Sequence, residues 1–145
     1  MIRHELVTGP TDPVVPLSAI KLHLRVDHDD EDELIEAFTD AATQMLDGPS
    51  GLLGIALAPQ TWRAVFSEGE DVHLPLGPVI SQADPVTADG EVMVEYVAGF
   101  AEVPFPIRAA IMLHVGTLYA ERQLSAETWN PTRIYDQLIA PWRKW

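Results

Sequence analysis

Apolar positions along the 145-residue chain follow two rhythms, one helical and one alternating. The most continuous stretch runs from Ile107 to Arg122. Ile107, Ala110, Ile111, His114, Val115, Leu118 and Tyr119 mark one stripe, and Ala109, Met112, Leu113 and Gly116 widen it. A helix that is apolar over most of its circumference is touched on several sides, so this segment predicts a buried central helix. Pro106 suits its first turn, where the missing N–H would be unpaired anyway and the fixed φ is already helical. At about 1.5 Å per residue such a helix spans about 25 Å, the width of a small domain.

The other segments arrange themselves around this post. Met1 to Val15, interrupted by Pro10 and Pro13 and without a period, reads as an extended amino-terminal arm. Leu17, Ile20, Lys21 and Leu24 predict a short helix. Leu34, Ile35, Phe38, Ala42, Met45 and Leu46 predict a second, capped by Asp29 or Asp30 and ended near Asp47 by Gly48, Pro49 and Gly51. Its first turn holds Glu31, Asp32 and Glu33, the sign the helix dipole favours. Leu52 to Ala58 is an apolar connector. Thr61–Phe66 alternates, Ser67–Asp71 turns and Val72–Leu76 returns, which predicts a β-hairpin. Gly77 to Gly90 is mainly loop, with a short strand at Val79–Ser81, and Glu91–Ala98 is the next strand, broken by Gly99. A last helix is expected at Arg133–Ile139, stopped by Pro141. The fold class is therefore α+β, mainly α: about four helices around a central helix near 107–122, with a small antiparallel sheet within 61–98. The expected parts are an arm at 1–15, one domain at 16–122 and a carboxy-terminal helix and tail at 123–145.

Charge changes the picture more than composition does. The net charge of −13 repels a phosphate backbone and argues against conventional nucleic-acid binding. It is unevenly spread: no Lys or Arg lies between Arg25 and Arg63, while nine carboxylates fall from Asp27 to Asp47. The far end is reversed, with Arg133, Arg143 and Lys144 close together. Opposite charges at two places on one chain suit a subunit that docks against copies or partners. No run approaches the roughly 20 apolar residues of a membrane span, and MIRHELVTGPTDP lacks the apolar core of a secretory signal. The absence of cysteine excludes disulfides, thiolate catalysis and Cys-based metal sites.

Candidate chemistry does not assemble. Asp27, Asp29 and Glu31 match the first, third and fifth positions of a calcium loop. Asp32 then stands where that loop needs Gly, and Phe38 where it needs Glu. His4, His23, His28, His73 and His114 form no zinc-binding pair of helical spacing. GPSGLLG at 48–54 lacks the Lys-Ser/Thr end of a phosphate loop. The expectation is no enzyme, no metal and no cofactor. Of four tryptophans, Trp62 belongs to the hairpin core. Trp129, Trp142 and Trp145 cluster near the end with the cations, a composition that suits an interface anchor or a tail folded back on its own domain.

One resemblance covers most of the chain from about Pro16 to Arg122. The segments PLSAIKLHLRVDHDDEDELIEAFTDAA, LAPQTWRAVF and VHLPLGPVIS, then V.Y.AGF and P..IR.AI..HV..LY..R, occur in the order found in head-tail connector (adaptor) proteins. Those proteins belong to long-tailed phages, prophages and gene transfer agents, and what this chain resembles is their overall order, not one sharp motif. It departs from them in a shorter strand-rich insert, reduced to Ser81–Gly90. The resemblance implies a virion structural protein made in the bacterial cytoplasm and placed at the head-tail junction. It further implies a ring of copies, twelvefold in the mature particle. The ring would sit under the portal protein, join it to a tail-proximal connector or stopper protein, and pass DNA non-specifically through its lumen. On that view Asp29, Asp30, Glu31, Asp32, Glu33, Glu36 and Asp40 are candidates for the ring interface or the lumen. Trp129, Arg133, Trp142, Arg143, Lys144 and Trp145 are candidates for portal docking. The competing classes are an acidic binding or regulatory protein, including a DNA mimic, and an enzyme without a recognisable motif.

Overall fold

The computed structural model describes residues 1–121 and 132–143. In chain order it contains β1 (Arg3–Thr8), α1 (Leu17–Leu24), α2 (Asp32–Leu46), β2 (Gln60–Ser67), β3 (Val79–Gln82), β4 (Val86–Ala88), β5 (Glu91–Ala98), α3 (Phe105–Ala120) and α4 (Arg133–Ile139). A short 3-10 turn, Ala140–Trp142, follows. The architecture is α+β, as the patterning predicts.

The helices share one core. Ile20 of α1, Ile35, Ala42 and Leu46 of α2, Ile107, Ala110, Ile111 and Val115 of α3, and Tyr135 and Ile139 of α4 are buried together. α3 is the post around which they pack, with Leu118 also buried and Tyr119 half-buried. Burying one such Ile or Leu contributes about 1.5–3 kcal/mol, so these few positions carry most of the drive to assemble the bundle. The connector after α2 belongs to the same core, with Leu53 and Leu57 fully buried. The expected cap of α2 is not formed by Asp29 or Asp30. Glu31 holds the cap position without a side-chain bond, and Lys21 draws Asp29 away to an ion pair 2.7 Å long.

The sheet corrects the expected hairpin. Val72–Leu76 is not a strand; its alternation reflects Leu76 buried, and Leu74 half-buried, beneath the sheet. β2 instead pairs along its full length with β5, from Gln60 opposite Ala98 to Ser67 opposite Glu91. Its other edge takes β1, so the amino-terminal segment is extended as expected but hydrogen-bonded into the sheet. The short strand expected at Val79–Ser81 is β3. β4 follows in what looked like loop, and both pair with the same edge of β5, β3 beside Tyr96–Ala98 and β4 beside Glu91–Met93. Asp89 (φ 52°) and Gly90 (φ 77°) make the two-residue turn between β4 and β5. Two successive positive φ values are what a tight hairpin of this hand requires. The shortened 81–90 segment thus still supplies a sheet edge.

Gly99 joins sheet to bundle. Its φ is 130°, and a Cβ there would lie 2.6 Å from the Ala58 carbonyl oxygen. Only glycine fits where β5 leaves the sheet against the connector.

Candidate functional site

The acidic residues form a surface, not a pocket. At about 100° per residue, Glu33, Glu36 and Asp40 fall on one side of α2 and Ile35, Thr39, Ala42 and Leu46 on the other. The first three are exposed and the last four buried. Core packing on one face therefore fixes the direction of the carboxylates on the opposite one. Asp29 and Asp30, also exposed, extend this face beyond the start of the helix, with Glu31 and Asp32 half-buried beside them. Lys21 from α1 reaches Asp29 at 2.7 Å and Asp32 at 2.9 Å. Its ammonium stands in the middle of the run that suggested a calcium loop. The hydrogen bond to Lys21 holds Asp29 below the usual carboxylate range, and Asp29 in turn raises Lys21. Beside this face, a groove of about 590 Å³ runs between residues 10–15 and α2, bordered by Glu36, Asp40 and Asp47.

Asp47 has a separate, structural task that the sequence did not reveal. Its Oδ1 accepts from the Leu57 N–H at 2.8 Å and from Gln60 Nε2 at 3.1 Å; Gln60 Oε1 accepts from Trp62 Nε1 at 2.8 Å. This chain ties the end of α2 to the start of β2. Burial pushes the Asp47 carboxyl up, and those hydrogen bonds pull it partly back. On the sheet, His4 stacks on Trp62 at 4.4 Å and lies 2.7 Å from the Tyr96 hydroxyl. Arg63 bridges Glu95 at 2.6 Å and Glu5 at 3.4 Å, across three strands. Both sets of contacts pin β1 in place. Neither has a periodic signal, because each joins residues distant in the chain.

The cationic end is only partly within the described residues: Trp129, Lys144 and Trp145 lie outside them. Thr132 caps α4, its hydroxyl accepting from the Tyr135 N–H at 3.2 Å. Arg133 is exposed, and Arg143 is 3.9 Å from Asp136. Trp142 packs against the helical core and is half-buried. It lies against its own domain, and among the described docking candidates Arg133 and Arg143 are the exposed ones. Opposite α4, His114 of α3 is fully buried and meets the Tyr135 ring edge-on at 6.1 Å. Burial pushes His114 down to about 4 and Tyr135 up.

The family model for phage gp6-like head-tail connector proteins matches residues 15–130. The chain belongs to that family. The connector's matched region runs from Val15, two residues before α1, past the end of α3, so it takes in the acidic face and the whole central helix. The family is one of structural proteins of the head-tail junction, which fits a site made of charged surfaces. No curated protein matches the connector. Among solved structures, it is similar to a chain in the neck of an empty GTA (gene transfer agent) particle computed with C6 symmetry. The TM-score is 0.73 at 19% identity, over 98% of this chain and 95% of that one. At that identity the likeness concerns the fold, over nearly the full length of both chains.

Proposed function

We propose that copies of this connector form a closed ring, twelvefold in the mature particle, beneath the portal protein and above a tail-proximal connector or stopper. The family match over residues 15–130 carries the reading, and the neck origin of the similar fold supports it. A ring needs a heterologous interface whose rotation closes, one patch of each copy meeting a different patch of the next. In this reading the α2 face, with Glu33, Glu36 and Asp40, lines the lumen or the contact between copies. A carboxylate wall suits a DNA passage because it repels phosphate within a Debye length of about 8–10 Å and keeps the passing duplex from sticking. The end from residue 129 to 145 docks the portal, with Arg133 and Arg143 supplying charge.

The deciding experiment is absolute mass by light scattering after size exclusion, alone and with the cognate portal. A large complex of portal with many copies is expected. A chain that stays monomeric or dimeric and ignores the portal overturns the ring. For the lumen, the E33Q/E36Q/D40N variant should assemble at unchanged mass yet retain DNA at low salt where the wild type releases it. Equal release by both would remove the lumen assignment.

A further inference from the structure

Among the described residues, the sheet has two open edges of opposite character. Its order is β1-β2-β5-β3, with β4 continuing the β3 edge, and every neighbouring pair is antiparallel. Four ranks of alternating direction leave the two outermost ranks, β1 and β3/β4, running opposite ways. If a second copy keeps the first copy's orientation, its β1 meets the first copy's β3/β4 antiparallel. An odd number of ranks would have forced a parallel join.

The edges also match chemically in that direction. β1 (Arg3–Thr8) carries Arg3 near its start, 3.4 Å from Glu91 of β5, then Glu5, and its far end holds Leu6 and Val7, which are 50% and 42% exposed. The opposite edge begins with Val79 and Ile80, 46% and 48% exposed, and continues to Asp84 and Asp89. No Lys or Arg occurs between Arg63 and Arg108, so that edge is purely acidic. Antiparallel joining sets Leu6 and Val7 beside Val79 and Ile80, and Arg3, three residues away, near Asp84. Parallel joining would set Arg3 beside valine and isoleucine. Each apolar end carries one irregularity, between Leu6 and Thr8 and between Val79 and Ser81, so the two edges bend at matching places. All of β3 and β4, and all of β1 except His4, is exposed. Natural sheets block such edges with lysine, inward-pointing charge, proline, bulges or short strands; lysine is absent from both edges here, while Pro85 separates the short β3 and β4.

We infer that neighbouring copies join head to tail by β1 of one adding to the β3/β4 edge of the next, making the sheet continuous around the assembly. The occupant of each edge is a second copy of this chain. At about 3.4 Å per residue, β1 offers about 20 Å of backbone for this join. The inference rests on the ring reading above and names its interface.

The test exploits the lack of cysteine. The double variant L6C/I80C is assembled with the portal and treated with a short bis-maleimide that spans one or two strand spacings, about 5–10 Å. A denaturing gel should show a ladder at multiples of the 16.0-kDa chain, while L6C or I80C alone stays at monomer mass. Scattering mass reports the ring independently of the crosslink. An intact ring that gives no ladder overturns the edge join and leaves the ring standing. A dimer band from L6C alone overturns it in favour of a two-fold β1 contact. A wild-type chain that never exceeds monomer mass removes both. Should L6C/I80C not fold, T8C/V79C places the same pair of edges at neighbouring exposed positions, with the same outcomes.

Discussion

Acidification should loosen the bundle through His114. The side chain is fully buried on α3 against α4, and burial lowers its pKa from 6.5 to about 4. Unfolding returns the imidazole to water, where it binds a proton below about 6.5. Between these values the unfolded chain holds more protons than the folded one, so stability falls as pH falls. His114's contribution is complete above pH 6.5 and is lost as pH drops through that window toward about 4. At about 1.36 kcal/mol per pH unit the loss amounts to about 3 kcal/mol, a large part of the 5–15 kcal/mol typical of a domain. Urea unfolding at pH 7, 6, 5 and 4 would measure it, with His114→Leu as the partner curve. Titration of the carboxylates and of His4, itself lowered by partial burial, is common to both proteins and cancels. The wild type should lose about 3 kcal/mol more than the variant between pH 6.5 and 4. Parallel curves would refute the reasoning, because they would mean that His114 binds its proton equally well in both states.

Asp47→Ala strips the acceptor from the Leu57 N–H and the Gln60 amide and should cost about 1–3 kcal/mol in urea unfolding. Asp47→Asn keeps one acceptor oxygen and should cost less. Because burial raises the Asp47 pKa, the wild type loses stability as pH rises from the ordinary carboxylate range through the raised value; the Asn variant should lack that decline. Gly99→Ala forces a Cβ to 2.6 Å from a carbonyl oxygen and should cost about 3 kcal/mol or more. Gly90→Ala, with positive φ but open space around it, should cost about 1–2 kcal/mol; equal losses in the two glycine variants would discount the clash. Trp142→Ala should lower the Tm of the free chain because that ring covers the helical core. Arg133→Ala with Arg143→Ala should leave Tm within about 2 °C and weaken portal binding. Unchanged portal affinity would strike Arg133 and Arg143 from the docking set.

Helices were the legible part of this chain. α1 and α4 fall on the predicted residues, and α3 was placed within two residues at either end, because burial against a shared core imposes a period on every helix. The strands were legible only where one face is buried. β2 and β5 alternate for that reason, whereas β1 and β4 are exposed on nearly every residue and β4 is three residues long. The false strand at Val72–Leu76 shows the converse: Leu74 and Leu76 reach the core from a loop, and alternation by itself does not reveal a hydrogen-bond ladder. For the acidic surface, the exposure of Glu33, Glu36 and Asp40 followed from the α2 stripe. The pairing of Asp29 and Asp32 with Lys21 did not, since it depends on how α1 turns into α2. Asp47 was grouped with the acidic run, but the structure gives it donors from the connector and β2 instead.

The β1–β2 pairing also sets an order of events during synthesis. Arg3 and its neighbours leave the ribosome before their partner Val65, which is about sixty residues behind. At about 5–20 residues per second, β1 waits several seconds before β2 can be made. The β4–β5 hairpin, closed by two residues, has the least loop entropy to overcome and can form within microseconds of emerging. The rank made first is thus completed late. Until β2 emerges, β1 is an unpaired strand on a nascent chain, available to whatever β-edge it meets.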